Sequence, residues 1–236
     1  MSSHISRIAS GGRPYITIKY AQTLDGRIAT CSGQSQWISS DADLTYAHEL
    51  RAANDALMVG IGTVMADDPR LTVRLAPGRD PLRIVVDSLL RTPVSSHVLS
   101  DENVSRTVLA VTPQAPRARI REVERRGARV IVADPTPEGL VDLDSLLRRL
   151  RTEGVRSVMV EGGAKIITSL LRAGLANRLI ICIAPKVVGS GIEGVGDLGI
   201  AALPEAIKFT SHSFRQLGED VMFDGEIAPA GVLSQS

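Results

Sequence analysis

The sequence predicts an α/β protein with a central, mixed but mostly parallel sheet flanked by helices. Short apolar segments alternate with stretches of helical periodicity along most of the 236 residues, the order typical of this class. Segments such as Ala56–Gly60 and Leu82–Val86 lack polar alternation, which indicates strands buried on both faces of a parallel sheet. The final segments, Ile207–Phe214 and Asp220–Glu226, predict an antiparallel pair around a turn at Gly218.

In the first third of the chain, alternation and capping residues define the elements. Ser40 or Asp41 can cap a helix that runs through Ala53. The next helix is short, because Pro69 disfavours helical backbone in the residue before it. The predicted strands are Tyr15–Ala21, Arg27–Thr30, Ala56–Gly60 and Leu82–Val86, and the short helix is Thr63–Asp67.

The rest of the chain repeats the order of strand and helix. Gly127 follows a basic helix over about residues 115–126, and Gly174 ends a helix that opens at Gly162-Gly163 and runs through Arg172. The other predicted elements are strands Thr107–Val111, Ala128–Ala133, Ser157–Val160 and Arg178–Ala184, and the helix Asp142–Arg151. No linker divides the chain, so we expect one domain over residues 14–226, with disordered ends at 1–13 and 227–236.

Composition and charge narrow the class of protein. A hydrophobic fraction of 44% is typical of a soluble globular protein, and no apolar run is long enough to span a membrane. A formal net charge of +1 provides no broad basic field for nucleic acid, so a phosphate ligand would have to be bound locally. Cys31 and Cys182 lie far apart and outside any metal-ligand spacing, which indicates two free thiols in a cytoplasmic protein and no metal site.

Lys19 is the first candidate for chemistry. It lies inside an apolar strand, where an ammonium group is costly to bury unless a carboxylate is near. We expect Asp67 and Asp68 to be the carboxylates beside it, and such a pair would keep the lysine charged and able to donate a proton. The alternative is an ordinary lysine on the solvated face of a strand.

Two further groups of residues suit phosphate. Arg51, Arg70 and Arg74 carry guanidinium groups that match a phosphate ester, although arginines at such spacings are more often surface charges. The segment Val158–Lys165 runs a strand into a glycine pair at a helix start, where free amides attract phosphate. Glu161 would stand at the carboxyl end of that strand. An ordinary tight turn is the alternative.

Other motifs are weaker. Gly189–Gly194 matches G-x-G-x-x-G, but no amphipathic helix follows it, so a glycine-rich loop is favoured over a dinucleotide-binding turn. Trp37, the single tryptophan, lies in a polar loop and either packs on the core or stacks on a ring. The four histidines do not cluster in sequence, and neither a Gly-x-Ser-x-Gly elbow nor a zinc-deaminase signature is present.

In combination, these segments resemble a known family. The resemblance is to the reductase domain of bacterial riboflavin biosynthesis proteins and to their stand-alone archaeal and fungal relatives, over about residues 14–225. The segments that carry it are Tyr15–Ala29, Ser32–Ile38, Leu50–Ala52, Gly62–Val64, Ala66–Pro69, Leu71–Arg74, Ile84–Ser88, Glu161–Gly163 and Ala184–Lys186.

The resemblance implies a dihydrofolate-reductase-like fold, a homodimer, and NADPH-dependent reduction of the ribosylamino side chain of a pyrimidine 5′-phosphate, with hydride arriving at the ribose C1′. It implies three catalytic residues, Lys19, Asp67 and Glu161; the role of Lys19 as an acid is our own hypothesis. The implied substrate contacts are Ser35, Arg51, Leu71, Arg74 and Glu161. The implied cofactor contacts are Ala21, Trp37, Thr63, Asp67, Ser88, Gly163, Ala164, Lys165, Ile166, Ile167, Thr168 and Ser169.

Several alternatives stay open at this point. Because the sequence has no deaminase signature, the substrate could be the diaminopyrimidinone or the deaminated aminouracil, and a related flavin-like product is a third option. A pterin or folate reductase is a second enzyme class, which the phosphate-suited arginines argue against. A non-catalytic NADPH sensor is the remaining alternative, and the presence of Lys19, Asp67 and Glu161 together argues against it.

Overall fold

The computed structural model of the protein describes residues 12–36 and 38–229, through which a large mixed sheet runs. The strands are β1 (Tyr15–Thr23), β2 (Arg27–Thr30), β3 (Ala56–Gly60), β4 (Leu82–Val86), β5 (Thr107–Val111), β6 (Arg129–Val132), β7 (Ser157–Gly162), β8 (Arg178–Ala184), β9 (Gly191–Glu193), β10 (Phe209–Leu217) and β11 (Asp220–Ile227). The helices are α1 (Asp41–Ala53), α2 (Ile61–Asp67), α3 (His97–Ser100), α4 (Arg117–Arg125), α5 (Leu143–Thr152) and α6 (Ala164–Arg172).

The nine strands of the large sheet follow the order β10-β11-β8-β1-β7-β3-β4-β5-β6. From β8 to β6 all neighbours are parallel, whereas β11 is antiparallel to β8 and to β10. Strands β2 and β9 form a separate antiparallel pair. The predicted fold class, a mixed and mostly parallel sheet flanked by helices, is confirmed.

Side chains alternate between the two faces of the sheet along every strand, so both faces carry apolar side chains. Helices cover each face. On β1, Ile16 and Ile18 enter the core that α5 and α6 cover. The opposite face packs against α1, α2, α3 and α4, and Met159 of β7 and Ile180 of β8 belong to that second core. By the same alternation Lys19 and Glu161 point to the face that α1 covers.

Several predicted element bounds differ from the structure. Helix α2 begins two residues earlier than predicted, directly after β3, and α3 had no predicted counterpart. The glycine-rich loop contains the short strand β9, where a side chain at Gly191 would lie 2.4 Å from the carbonyl oxygen of Ala29. Strand β10 starts two residues later and ends three residues later than predicted, because its pairing with β11 continues up to the turn. That turn at Gly218 is confirmed.

The two ends of the described chain are held by specific contacts. Arg13 forms an ion pair with Asp144 of α5, and the amide of Ile227 donates to the carbonyl oxygen of Asn177 at 2.8 Å. Residues 1–11 and 230–236 of the predicted disordered ends lie outside the described residues. Within the described part of the chain, no helix has the length and hydropathy to cross a bilayer.

Candidate active site

Several of the predicted site residues lie at the edge of the sheet where its parallel strands end. Glu161 is the next-to-last residue of β7, Ala21 lies near the end of β1, and Ser88 follows β4. Thr63 is in α2, which begins directly after β3. Because the carboxyl ends of parallel strands share one edge, ligands of such sheets bind in the crevice outside that edge.

Arg51 and Glu161 form a two-pronged ion pair at this edge. The guanidinium Nε and Nη2 donate to the two carboxylate oxygens at 2.7 and 2.6 Å, and both side chains are only 14% exposed. Burial raises the pKa of Glu161, but Arg51 outweighs that effect, so the pKa lies below its usual value. The pair therefore stays ionised at neutral pH.

The segment 70–74 beside this pair is held from four directions. Its carbonyl oxygens at residues 70 and 72 accept hydrogen bonds from Arg83 at 3.1 Å and Arg51 at 2.9 Å. Its amides at residues 73 and 74 donate to Asp80 at 2.6 Å and to His48 at 2.8 Å. These bonds define where the side chain of residue 74 begins.

Arg74 is a cation with surplus positive charge around it. Its guanidinium donates to the hydroxyl of Thr72 at 2.8 Å, and no described carboxylate lies within 4 Å of it. Burial, and then the charges of Arg51 and Arg70, lower the pKa of Arg74. Arg70 is exposed and also lacks a described ion-pair partner. Such a pair of arginines favours the binding of an anion.

His48 is a site residue that the sequence argument missed. Its Nδ1 accepts the amide hydrogen of Arg74, and its Nε2 lies 3.3 Å from Nη1 of Arg51. Burial and the two neighbouring arginines lower the pKa of His48 to about 4, so the ring is neutral at pH 7. A signal was present, because a histidine three positions before Arg51 shares its helical face.

The partner of Lys19 corrects the sequence prediction. Lys19 is buried, and its Nζ donates to Oδ2 of Asp43 at 2.7 Å, so the expectation that Asp67 or Asp68 would pair with it is wrong. Asp67 instead accepts a hydrogen bond from the hydroxyl of Ser35 at 2.9 Å. Asp68 accepts from the backbone of residue 97. Asp67 is the last residue of α2, and Asp68 caps the carboxyl end of that helix.

Asp43 was missed because its role depends on which helix covers which face of the sheet. It lies four and eight residues before Ala47 and Arg51, so all three share one face of α1. This spacing was visible in the sequence. The contact of Asp43 with Lys19 could not be predicted from it, because nothing in the spacing shows that α1 lies over β1.

The amino end of α6 provides a binding surface beside Thr63. Gly162 has φ of +132°, which favours glycine, and the Gly162–Gly163 peptide bond is cis. Gly163 precedes the helix, and no side chain caps it. Lys165 is exposed in the first turn. Uncapped amides next to a lysine are suited to binding an anion such as a phosphate group.

The remaining predicted substrate and cofactor contacts lie partly in the core and partly on α6. Ile167 is fully buried in the core, and Leu71 is 2% exposed with φ of +55°. The hydroxyl of Thr168 donates to the carbonyl of Ala164, and Ser88 accepts from the amide of residue 141. Ala164, Ile166 and Ser169 lie on α6, and Trp37 lies outside the described residues. In the described part of the chain, no cluster of three or more ionisable ligands suits a metal ion.

Comparison with known proteins adds named relatives. A 2,5-diamino-6-ribosylamino-4(3H)-pyrimidinone 5′-phosphate reductase of Methanothermobacter thermautotrophicus is 44% identical over 217 residues, which cover 90% of this chain and 97% of that protein. The riboflavin biosynthesis protein RibD of Aquifex aeolicus is 38% identical over 89% of this chain, which spans 57% of the RibD length.

Solved structures and family models agree with these relatives. The riboflavin biosynthesis reductase Rib7 of Saccharomyces cerevisiae superposes with a TM-score of 0.74 at 28% identity, covering 93% of this chain and 92% of that one. The family model described as the RibD C-terminal domain matches residues 14–223. The chain belongs to the RibD C-terminal domain family, as the sequence resemblance predicted.

Proposed function

We propose that the chain is an NADPH-dependent reductase of riboflavin biosynthesis, which converts the ribosylamino side chain of a pyrimidine 5′-phosphate into the ribitylamino side chain. The observation that carries the proposal is that a buried ammonium, Lys19, and two arginines without carboxylate partners, Arg70 and Arg74, lie around one edge of the sheet. A phosphate anchor and a proton donor are what this reduction needs besides its cofactor.

We infer that the substrate is the diaminopyrimidinone rather than the deaminated aminouracil. The archaeal relative named for the diamino compound is matched over 97% of its length. By contrast, the chain spans only 57% of the Aquifex aeolicus RibD. A match over nearly the whole relative supports transfer of its reaction better than a match to one part of a longer protein.

In the proposed binding mode, Arg74 and Arg70 hold the 5′-phosphate. The Arg51–Glu161 pair, with Ser35 and the backbone at Leu71, forms the surface against which the pyrimidine and ribose lie. A guanidinium without a carboxylate partner binds phosphate through charge-assisted hydrogen bonds. Because Arg51 is already paired, its contribution is to orient polar groups of the substrate.

The proposed chemistry uses one proton from Lys19. The lone pair of the exocyclic nitrogen forms a C1′=N bond as the C1′–O4′ bond of ribose breaks, and Lys19 protonates O4′. A cofactor held at the start of α6 would supply the hydride that neutralises the resulting iminium at C1′ and leaves the ribitylamine. Solvent then returns a proton to Lys19. Glu161 and Asp67 contribute charge near the reacting sugar, and the fixed position of these groups supplies most of the rate.

The proposed cofactor site lies at the edge of the sheet where the parallel strands end. Ala21, the start of α6, Thr63 and Ser88 follow one another along this edge. Residues Gly163 to Ser169 form the first turns of α6, whose uncapped amino end suits the cofactor phosphates. Ile167 lies in the core, so its contribution is to fix the helix rather than to contact the ligand. Preference for NADPH over NADH is part of this proposal.

We also propose that the enzyme is a cytoplasmic homodimer. Strand β10 is an edge strand whose residues 210–216 are exposed, and Phe214 on it is 63% exposed. A long open edge that also exposes Phe214 is a ready surface for pairing with a second copy. Cys31 and Cys182 are both free thiols, which suits a reducing compartment.

The test is NADPH oxidation by the purified protein, with the diamino and the deaminated ribosylaminopyrimidine phosphates offered in parallel. We expect turnover of the diamino compound and little with the deaminated one. Dihydrofolate and NADH serve as controls for a folate reductase and for cofactor preference. NADPH binding without turnover of either pyrimidine would reject the proposal and favour a sensor.

A further inference from the structure

The buried ion pair between Lys19 and Asp43 joins β1 to α1. Its atoms Nζ and Oδ2 are 2.7 Å apart, and the side chains are 7% and 1% exposed. We propose that Asp43 is a positioning residue, which keeps the Lys19 ammonium protonated and directed at the substrate. The inference rests on the proton-donor role of Lys19 proposed above, and it adds a residue to the reaction.

Each element packed around Lys19 presents a titratable group. Strand β7 presents Glu161, which is close enough for the ammonium to lower the pKa of Glu161 but is held by its two-pronged arginine pair. Strand β8 presents Cys182, and β11 presents Asp220, whose Oδ2 accepts the Cys182 thiol at 3.4 Å. Of these carboxylates, Asp43 is the one that accepts a hydrogen bond from Lys19.

The Cys182 thiol does not compete for the ammonium. Burial, and then the charges of Asp43 and Asp220, raise the pKa of Cys182, so the thiol stays neutral. Oδ1 of Asp43 is buried and accepts no hydrogen bond among the described residues. The ammonium of Lys19 and the carboxylate of Asp43 therefore depend on each other, because removal of either leaves a buried charge without its partner.

The position of Asp43 is itself set by the hairpin of β10 and β11. The amide of Ser40, which precedes α1, donates to Oδ2 of Asp220 at 2.7 Å. The Ser40 hydroxyl donates to the carbonyl oxygen of Leu217 at 3.4 Å. These two bonds tie the start of α1, which carries Asp43, to the hairpin.

The first test is a measurement that needs no substrate. The sequence contains four lysines, Lys19, Lys165, Lys186 and Lys208, so ¹³Cε-labelled lysine gives a simple spectrum, in which Lys19→Met identifies the Lys19 signal. In Asp43→Asn we expect this signal to reach the neutral-amine position about one pH unit or more below that of the unsubstituted enzyme, because burial favours the neutral amine. Equal titration curves would overturn the proposal.

The second test is kinetic. Asp43→Asn is expected to lower kcat at least about tenfold at pH 8, to move the alkaline limb of the kcat profile to lower pH, and to leave the KM values nearly unchanged. Asp43→Glu retains the carboxylate and should restore much of the profile, even if Asp43→Asn proves too unstable to purify. Asp41→Asn, on the exposed first residue of α1, is the matched control and should behave like the unsubstituted enzyme.

The outcomes separate this inference from the proposed function. If the unsubstituted enzyme reduces neither pyrimidine, the proposed function fails, while the titration still reports whether Asp43 keeps Lys19 charged. If the enzyme is active and Lys19→Met is not, but Asp43→Asn keeps the normal kcat profile, the positioning role is rejected and the proposed function stands.

Discussion

The cations of the site differ in how their charges are balanced. Lys19 and Arg51 each face a carboxylate, whereas Arg74 faces other arginines. A paired cation keeps a fixed direction and adds little net charge, while an unpaired cation attracts an anion. In the proposed function, these differences divide the site into a reacting part around Lys19 and a phosphate-binding part around Arg74.

The unpaired charge leads to a prediction for Arg74→Met. We expect KM for the phosphorylated substrate to rise about 10- to 100-fold, since charge-assisted hydrogen bonds contribute roughly 1.5 to 3 kcal/mol. Steady-state kinetics with NADPH saturating would measure this change. Arg79→Met, an exposed arginine of the same loop, is the control and should leave KM as it is. An equal effect of both changes would indicate a general field rather than a phosphate contact.

The neutral ring of His48 predicts a pH dependence of stability. The pKa is about 4 in the folded protein and near 6.5 in the unfolded chain, so the unfolded chain binds the extra proton first. His48 therefore does not reduce the free energy of unfolding above pH 6.5. As the pH falls towards 4, we expect about 1 to 2 kcal/mol of that free energy to be lost. Urea unfolding of the enzyme and of His48→Asn measures the difference, and parallel curves would contradict it.

At this scale the sequence revealed single residues better than their partners. Lys19 was recognisable because an ammonium group in an apolar strand is unusual. Arg74 was recognisable because it ends the segment Leu71–Arg74, which carries part of the family resemblance. The contact between Lys19 and Asp43 was not recognisable from the sequence, because it requires α1 to lie across β1. The sequence predicted Asp67 beside Lys19, and that prediction was wrong. The contact of Asp67 with the cofactor stays a prediction.

Helix α1 is the element that organises the site. It carries Asp43, His48 and Arg51, which contact β1, the segment 70–74 and β7 respectively. One helix therefore sets the relative positions of the proposed proton donor, the proposed phosphate-binding segment and the carboxylate of Glu161. A change that tilts α1 would disturb all of them together.

Gly218 in the turn between β10 and β11 gives an element-scale prediction. Its φ is +64°, and an added Cβ would lie 3.1 Å from the Ser40 hydroxyl and 3.2 Å from Ala42, at the start of α1. We expect Gly218→Ala to cost about 1 to 3 kcal/mol of unfolding free energy and to lower kcat as well, since the clash displaces α1.

The matched control is Gly26→Ala, where φ is +83° and no atom lies within 4 Å of the added Cβ. It carries the same kind of backbone strain without the clash. Thermal unfolding and kcat of both variants should show a larger loss for Gly218→Ala. A loss of equal size in both would mean that backbone strain alone accounts for the effect.

Element identity was largely predictable, and element extent was not. Apolar runs and capping residues identified most strands and helices, because burial on both faces and helical periodicity leave clear patterns. The short strand β9 was missed, since it exists through pairing with the distant strand β2. Loop sequence alone carries no record of such a partner.

For the whole molecule, we predict a dimer through the open edge at β10. Phe214→Glu places a charge on this edge and should shift light-scattering mass from dimer to monomer at micromolar concentration. Leu203→Glu, on an 89% exposed side chain outside β10, is the control and should leave the mass unchanged. A monomeric unsubstituted protein, or a dimer that survives Phe214→Glu, would contradict this interface.

The position of β1 has a consequence for how the molecule is assembled. It is the earliest strand along the described chain, yet its neighbours in the sheet, β7 and β8, come from the last third. During synthesis β1 must wait for most of the protein before it can pair, and these non-local contacts are slow to form. Lys19 is therefore enclosed late in synthesis, so we expect the proposed activity to be the last property that a nascent chain acquires and the first that a C-terminal truncation removes.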